Sequence, residues 1–212
     1  MRRTLLYWES VEASVNGMMG GFESLSNIEE QSSVEFITKN VSEENRKLVL
    51  DCGAGIGRVS KNVLLKIFDK VTLLEPTVKL IDKAKEMLPT DRVLHFHVNP
   101  IQNMEPKPDE IGSYDLVWFQ WVLCYADDAE LVNVLSVTKK YLNQNGIIGV
   151  KENISSNSEN IYDSVDDSTI RTDSKFKQIF HECGLVVISS CKQAGFPKEL
   201  YPVKMYMLKP NK

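Results

Sequence analysis

The run Leu48-Val49-Leu50-Asp51-Cys52-Gly53-Ala54-Gly55-Ile56-Gly57-Arg58 restricts the fold of this chain more than any other segment. Three apolar residues read as a buried strand, an acid closes it, and glycines then stand at every second position. Glycine lets a backbone turn tightly and approach a ligand closely. A helix expected over Val59 to Phe68 would offer its free N–H groups and the positive end of its dipole to a carboxylate or phosphate. Strand, glycine turn and helix in immediate succession begin a βαβ unit.

The alternation continues down the chain. Strands are expected at Val71 to Leu74, Val93 to Val98, Tyr114 to Phe119, Gly146 to Val150, Leu185 to Ser190 and Val203 to Leu208. Helices are expected at Val78 to Leu88, Ala129 to Leu142 and Phe176 to Cys183. Two segments read as irregular: Asn16 to Gly21, and Ile154 to Thr172, which is rich in Ser, Asn and Asp. This order predicts an α/β fold, a doubly wound and mostly parallel Rossmann-like sheet preceded by an N-terminal helical extension over residues 1–47. With 212 residues, 42% of them hydrophobic, the chain suits a single domain over residues 1–212.

Bulk properties exclude several classes. A net charge of −4 argues against a broad basic surface for nucleic acid. The first residues reach Glu9 too soon for a signal peptide, and no apolar run approaches the roughly 18 residues of a membrane span. Cys52, Cys124, Cys183 and Cys191 form no CxxC pair, so neither a zinc site nor a disulfide framework is expected. The expectation is a soluble monomer of a reducing compartment, the cytoplasm, the nucleus or both, binding neither nucleic acid nor membrane.

Glu75 ends the second expected strand. An acid there accepts both hydroxyls of a ribose and repels a 2′-phosphate, which disfavours NADP. The glycine spacing is G-x-G-x-G after an acid, not the G-x-G-x-x-G of dinucleotide sites. It resembles the first motif of class I methyltransferases. That resemblance implies S-adenosyl-L-methionine as cofactor and S-adenosyl-L-homocysteine as product. Asp51 and the loop at Gly53 and Gly55 would surround the methionine part, Arg58 would pair with its carboxylate, and Asn99 to Gln102, with Ile101 and Gln102, would cap the adenine. A glycine turn alone also describes an ordinary strand–helix connection; Glu75 at the matching strand end favours the cofactor.

Further segments lie outside that loop: Tyr7-Trp8 with Val15-Asn16-Gly17-Met18-Met19-Gly20-Gly21-Phe22, Phe119-Gln120-Trp121-Val122, Val150-Lys151-Glu152-Asn153, Asp163-Ser164-Val165-Asp166-Asp167-Ser168-Thr169-Ile170-Arg171, and Leu200-Tyr201. In that order, over nearly the whole chain, they resemble the eukaryotic protein N-terminal methyltransferases, which methylate the α-amino group of proteins reading X-Pro-Lys once the initiator Met is removed. The resemblance implies that Gln120 touches the cofactor and that Trp121 is an apolar wall for the proline. It implies that Asp163, Asp166 and Ser168 bind the substrate, and that Asn153 places the amine. Tyr7, Trp8, Met19, Gly20 and Tyr201 would line the peptide channel, so the N-terminal extension contributes to the peptide site. The residues make sense beside it. Between Glu152 and Asp173 the only base is Arg171, and such a loop suits a cationic ligand. Asp163 and Asp166 are suited to hold a lysine and an amino terminus by charge-assisted hydrogen bonds. Each residue also has a plainer reading: a solvated acidic loop, core aromatics, a turn asparagine.

The family has Gly-His after its Gln-Trp element where this chain has Cys124-Tyr125. Tyr125 thus replaces the histidine that helps take the amine proton, and Asp166 becomes the candidate base. His95 and His97 share a strand face, a spacing that can hold a metal, but no third ligand is evident and no metal is expected. His181 carries no signal. The alternatives are a methyltransferase of a small amine such as a phosphobase, which would want bases where this loop has acids, and a catalytically silent relative that only binds, suggested by Tyr125.

Overall fold

The computed structural model describes residues 2–211. The N-terminal extension is helical: α1 (Arg2–Ser10), α2 (Val15–Met18) and α3 (Ser26–Asn40). The alternating part follows as β1 (Leu48–Cys52), α4 (Arg58–Asn62), β2 (Lys70–Leu74), α5 (Val78–Met87), β3 (Val93–His97), β4 (Tyr114–Gln120), α6 (Asp128–Thr138) and β5 (Leu142–Asn153). A small hairpin, β6 (Ile161–Asp163) and β7 (Ser168–Ile170), precedes α7 (Asp173–Glu182), β8 (Leu185–Lys192) and β9 (Val203–Pro210).

The main sheet has the order β3-β2-β1-β4-β5-β9-β8, with β1 to β5 parallel and β9 antiparallel to both its neighbours. The order reverses between β1 and β4, the topological switch point beside which ligands sit on such sheets. Every residue of β4 is buried, as both faces of a parallel sheet require cover. Leu116 and Trp118 pack with Phe36, Ile37, Val59 and Ile81 on one face. Val117 and Phe119 pack with Leu131, Leu135, Phe176 and Phe180 on the other.

Four expectations change. The helix after the glycine turn runs only from Arg58 to Asn62 and passes into a 3-10 turn at Leu64–Lys66. The sixth helix ends at Thr138, and Leu142 already pairs with Tyr114, so the strand starts four residues before Gly146 and its pairing with β4 shifts register between Tyr114 and Leu116. The segment expected to be irregular over Ile154 to Thr172 contains the β6–β7 hairpin, bridged at its base from Ile154 to Arg171. Its turn is built by its own acids: Val165 N–H donates to Asp163 Oδ1 (2.8 Å) and Ser168 N–H to Asp166 Oδ1 (3.1 Å). The other segment, Asn16 to Gly21, overlaps α2, whose N-cap Ser14 accepts from Gly17 N–H. No helix among the described residues is long and apolar enough to cross a membrane.

Gly149 in the middle of β5 lies under the ring of Trp118, and a Cβ there would be driven into that ring. Gly149→Ala should therefore destabilise the protein by about 1–3 kcal/mol. The midpoint of urea unfolding checks this; an unchanged midpoint would show that the sheet can yield at this crossing.

Candidate functional site

Five chain segments leave the carboxyl ends of parallel strands at one edge of the sheet: the glycine loop after β1, Glu75 after β2, residues 98–102 after β3, Trp121 after β4 and Asn153 at the end of β5. Val203 opens β9 opposite Asn153, so the antiparallel strand brings its beginning, with Leu200 and Tyr201, to the same edge. Together with α1, α2 and the β6–β7 hairpin these segments enclose a cavity of about 490 Å³, within the roughly 300–1,000 Å³ usual for small-molecule sites.

The loop after β1 turns through left-handed glycines at Gly53, Gly55 and Gly57, with φ of 74°, 54° and 76°. A side chain at Gly53 would strike Val122. Its amides are spent inside the protein: Gly53 and Ala54 N–H donate to Leu74 O, Gly55 N–H to Glu75 Oε2 (3.0 Å) and Gly57 N–H to Ala54 O. These four bonds hold the shape of the loop. Gly55 itself does not line the cavity; it packs against Met18, which does. Asp51 also lies behind the loop, 2% exposed, accepting from Ser60 Oγ (2.6 Å). Burial pushes its carboxyl up to about 6, against the Ser60 bond. It does not reach the cavity, contrary to the sequence expectation.

Glu75 reaches the cavity, and its two oxygens accept from Gly55 N–H and Thr77 N–H (2.8 Å). Burial raises its pKa despite those two donors. Ile101, Gln102 and Gln120 line the same space. Gln102 Nε2 donates to Tyr125 O, whereas Gln120 Nε2 donates to Glu29 Oε1 (2.7 Å). Arg58 lines the cavity too, yet its Nη1 is already held by Glu29 Oε2 (2.6 Å), Glu30 Oε1 (3.1 Å) and Ser26 Oγ (3.3 Å). Pairing with a ligand carboxylate would therefore fall to its other nitrogens.

The remaining residues singled out from the sequence, Tyr7, Trp8, Met19, Gly20, Trp121, Tyr125, Asn153, Asp163, Asp166, Ser168 and Tyr201, all line this cavity. Trp8 stands edge-on to Tyr125, and the Tyr125 hydroxyl donates to Asp166 Oδ2 (3.1 Å). Burial, aided by the Asp166 carboxylate, pushes the Tyr125 phenol well above its ordinary value. Burial and then the charges of Asp166 and Asp163 raise Tyr7, so both acids project their field into this corner. Sequence reasoning did not single out Phe196, Cys124, Glu29 or Glu30. The acids of α3 had a signal: Ser26, Glu29, Glu30 and Ser33 recur at helical spacing on its buried face.

A buried acid and a buried base hold the loop after β4 from opposite sides. Glu152 Oε1 accepts from Val122 N–H (2.8 Å) and Leu123 N–H (2.7 Å). Arg171 donates to Leu123 O (3.2 Å), Ala126 O (2.6 Å) and Asp128 Oδ1 (2.8 Å). Between them Trp121 is kept at a φ of 52°, a left-handed conformation costly for a bulky side chain. Its indole Nε1 is buried without a hydrogen-bond partner among the described residues. His95 and His97 contact Asp109 and Glu110, and no group of three or more ligating side chains is placed together among the described residues.

A sequence model described as AdoMet dependent proline di-methyltransferase matches residues 1–209. Alpha N-terminal protein methyltransferase 1 of Arabidopsis thaliana is 37% identical over 95% of this chain and 76% of its own length. N-terminal Xaa-Pro-Lys N-methyltransferase 1-B of Xenopus laevis is 34% identical over 96% of this chain and 92% of its own. The solved structure of a SAM-dependent methyltransferase from Leishmania major superposes with a TM-score of 0.91 at 34% identity, covering 98% of this chain and 82% of the other.

Burial pushes the Glu152 carboxyl up to about 7 from 4.5, against the two loop N–H groups and Arg171. Between those values the folded protein holds more protons than the unfolded chain, so this group lowers stability as pH rises through the window. Glu152→Gln removes that dependence. Relative to the parent, the variant should gain up to about 3 kcal/mol between pH 4.5 and 8. Urea unfolding at several pH values checks it; parallel stability profiles for the two proteins would contradict it.

Proposed function

Because the chain belongs to the AdoMet dependent proline di-methyltransferase family, we propose that it methylates the α-amino group of proteins whose exposed N-terminus reads X-Pro-Lys, with S-adenosylmethionine as donor. One observation carries this reading. A single cavity joins the glycine loop and Glu75 to an aromatic corner holding Asp163 and Asp166, and Arg58 is the one base among its described lining residues. A phosphate-bearing amine would lack cationic partners there. A substrate bringing an ammonium and a lysine finds two acids and flat apolar walls.

The residues fit the donor. Glu75 presents a carboxylate, fixed by two backbone N–H groups, to the ribose hydroxyls. Arg58 keeps Nε and Nη2 without a hydrogen bond among the described residues, and these would take the donor's carboxylate. Ile101 and Gln102 would flank the adenine, Gln120 and Gly53 the amino-acid part. When bound, the donor supplies a methyl group on a positively charged sulfur.

The attacking amine must be neutral, and with a pKa of about 7.7–8.0 on the order of a tenth of it already is at pH 7. The chain then has to orient the nitrogen and accept its proton. Asp166 is aimed by Ser168 N–H and the Tyr125 hydroxyl and is the proton acceptor. Tyr125 stays protonated, because its phenol is held far above neutral pH, and acts by orienting Asp166. The Asn153 side chain makes no hydrogen bond among the described residues, which leaves its amide to the peptide. Trp121 walls the proline, while Asp163 and Ser168 receive the lysine side. Tyr7, Trp8, Met19, Gly20 and Tyr201 form the channel, so residues 1–47 belong to the peptide site. All these groups lie on this one chain, so the reading needs no second copy.

An Ala-Pro-Lys peptide should be methylated on its α-amine, and replacing that Lys by Gln should weaken binding about ten- to a hundredfold. Mass spectrometry that places the methyl on a lysine side chain would overturn the assignment. Asp166→Asn should lower turnover by about a hundredfold or more and Tyr125→Phe much less. The parent rate should climb between about pH 6 and 8.5 as free amine appears. Initial rates decide; equal damage from the two substitutions would mean that the assignment of Asp166 as the base is wrong.

A further inference from the structure

The first half of α3 buries polar side chains where a helix packed on a sheet normally buries apolar ones: Ser26, Glu29, Glu30 and Ser33 face inward, and only then Phe36 and Ile37. Glu29 is 0% exposed and bridges two cations. Its Oε2 accepts from Arg58 Nη1 (2.6 Å). Its Oε1 accepts from Lys151 Nζ (2.8 Å), Gln120 Nε2 (2.7 Å) and Ser33 Oγ (3.0 Å). Lys151 is itself 0% exposed, and its remaining bonds go to Glu29 O (3.1 Å) and Ser33 Oγ (2.8 Å). Glu30 Oε1 accepts from Ser26, Asn62 and Arg58, which anchors the second acid without tying it to Lys151.

Charges this deep are costly unless paired, and an incompletely satisfied network is worse than an apolar core. Two acids and two bases balance here, and Arg58 and Gln120 are the members that also border the cavity. A guanidinium with one nitrogen clamped has little freedom to swing, so the acceptor on Nη1 fixes where Nε and Nη2 point. Lys151 fills the space behind that acceptor and keeps Glu29 ionised: its charge and that of Arg58 hold the carboxyl below its ordinary value although burial pushes the other way.

We infer that Glu29 is a positioning residue for the methyl donor: by clamping Arg58 Nη1 and Gln120 Nε2 it aims both side chains at the donor's amino-acid end. The inference rests on the proposed pairing of Arg58 with the donor carboxylate. It gives the N-terminal extension a part in the donor site as well as in the peptide channel. An amide at position 29 has one acceptor oxygen for two cations, so Glu29→Gln must release one of them. Arg58 is the one that loses its Glu29 bond, because Lys151 lies wholly inside and has no other anion among the described residues; Nη1 is then left to the longer contacts with Glu30 Oε1 (3.1 Å) and Ser26 Oγ (3.3 Å), which draw it away from its present aim.

Titration calorimetry with two ligands tests this without any turnover. S-adenosylhomocysteine carries the amino-acid carboxylate; 5′-methylthioadenosine has the same nucleoside and sulfur but lacks it. The parent should bind S-adenosylhomocysteine the more tightly. Glu29→Gln should weaken S-adenosylhomocysteine by about tenfold or more while shifting 5′-methylthioadenosine by less than about twofold. Equal losses for both ligands would make Glu29 merely structural and overturn the inference, as would no loss for either. A parent that fails to favour S-adenosylhomocysteine would instead overturn the pairing of Arg58 on which the inference rests. Should Glu29→Gln not fold, the variant Glu29→Met with Lys151→Met removes the acceptor together with the inner cation it neutralises, leaves Arg58 paired with Glu30, and the same selective loss is required of it.

Discussion

A parallel sheet covered on both faces leaves itself one place for chemistry, the edge where its strands end. Here β1, β2, β4 and β5 have their faces filled by two apolar clusters, and the polar backbone of each of these strands is used up by a neighbour on either side. The segments beyond the carboxyl ends are the ones free to vary, and they converge because the strand order reverses between β1 and β4. Everything in the site inherits its position from that edge. Glu75 is where it is because β2 stops at Leu74; Trp121 and Asn153 are neighbours because β4 and β5 run side by side to Gln120 and Lys151.

Convergence alone would give a loose site. What stiffens it is buried charge beneath the edge. Glu29, Arg58 and Lys151 join α3 to the glycine loop and to β5, and Lys151 also stands 5.7 Å from the Trp121 ring. Glu152 and Arg171 hold the backbone of the loop that carries Trp121 and Tyr125, one taking its N–H groups, the other serving its carbonyls. Such groups contribute less to stability than apolar packing of the same volume would, while removing one partner of a pair is strongly destabilising. Their worth lies in direction: a hydrogen-bonded charge fixes an orientation that a methyl group leaves free. The same logic explains the glycine loop, whose amides serve neighbouring backbone and Glu75 and so hold its shape.

The substrate side is built differently. Asp163 and Asp166 each cap a turn of the β6–β7 hairpin with one oxygen and face the cavity with the rest of the carboxylate. Their role as local architecture and their proposed role toward a cationic peptide are compatible, since a carboxylate offers about four acceptor sites. With Tyr7, Trp8 and Tyr125 gathered nearby, the corner combines negative field and apolar surface, the combination that suits a proline followed by a lysine.

The order of strands and helices, the parallel sheet and the placement of the cofactor motif at strand ends were written locally in the sequence, as apolar periodicity and as glycines that only a tight turn tolerates. So was the family, through Gln-Trp, Lys-Glu-Asn and the acidic run. Tertiary structure alone decided the rest. The antiparallel insertion of β9 brings Leu200, Tyr201 and Val203 to an edge that the parallel strands reach with their opposite ends, and direction of insertion leaves no periodic trace. Asp51, expected at the ligand, turned inward to Ser60 because Cys52 still belongs to the strand and the loop turns only after it. Glu29 was not singled out, because its spacing with Ser26, Glu30 and Ser33 marks a polar face without showing that Arg58 and Lys151, distant in the chain, arrive to bury it. Periodicity reports which face of an element is greasy; it is blind to a buried charge whose counterion arrives from another element.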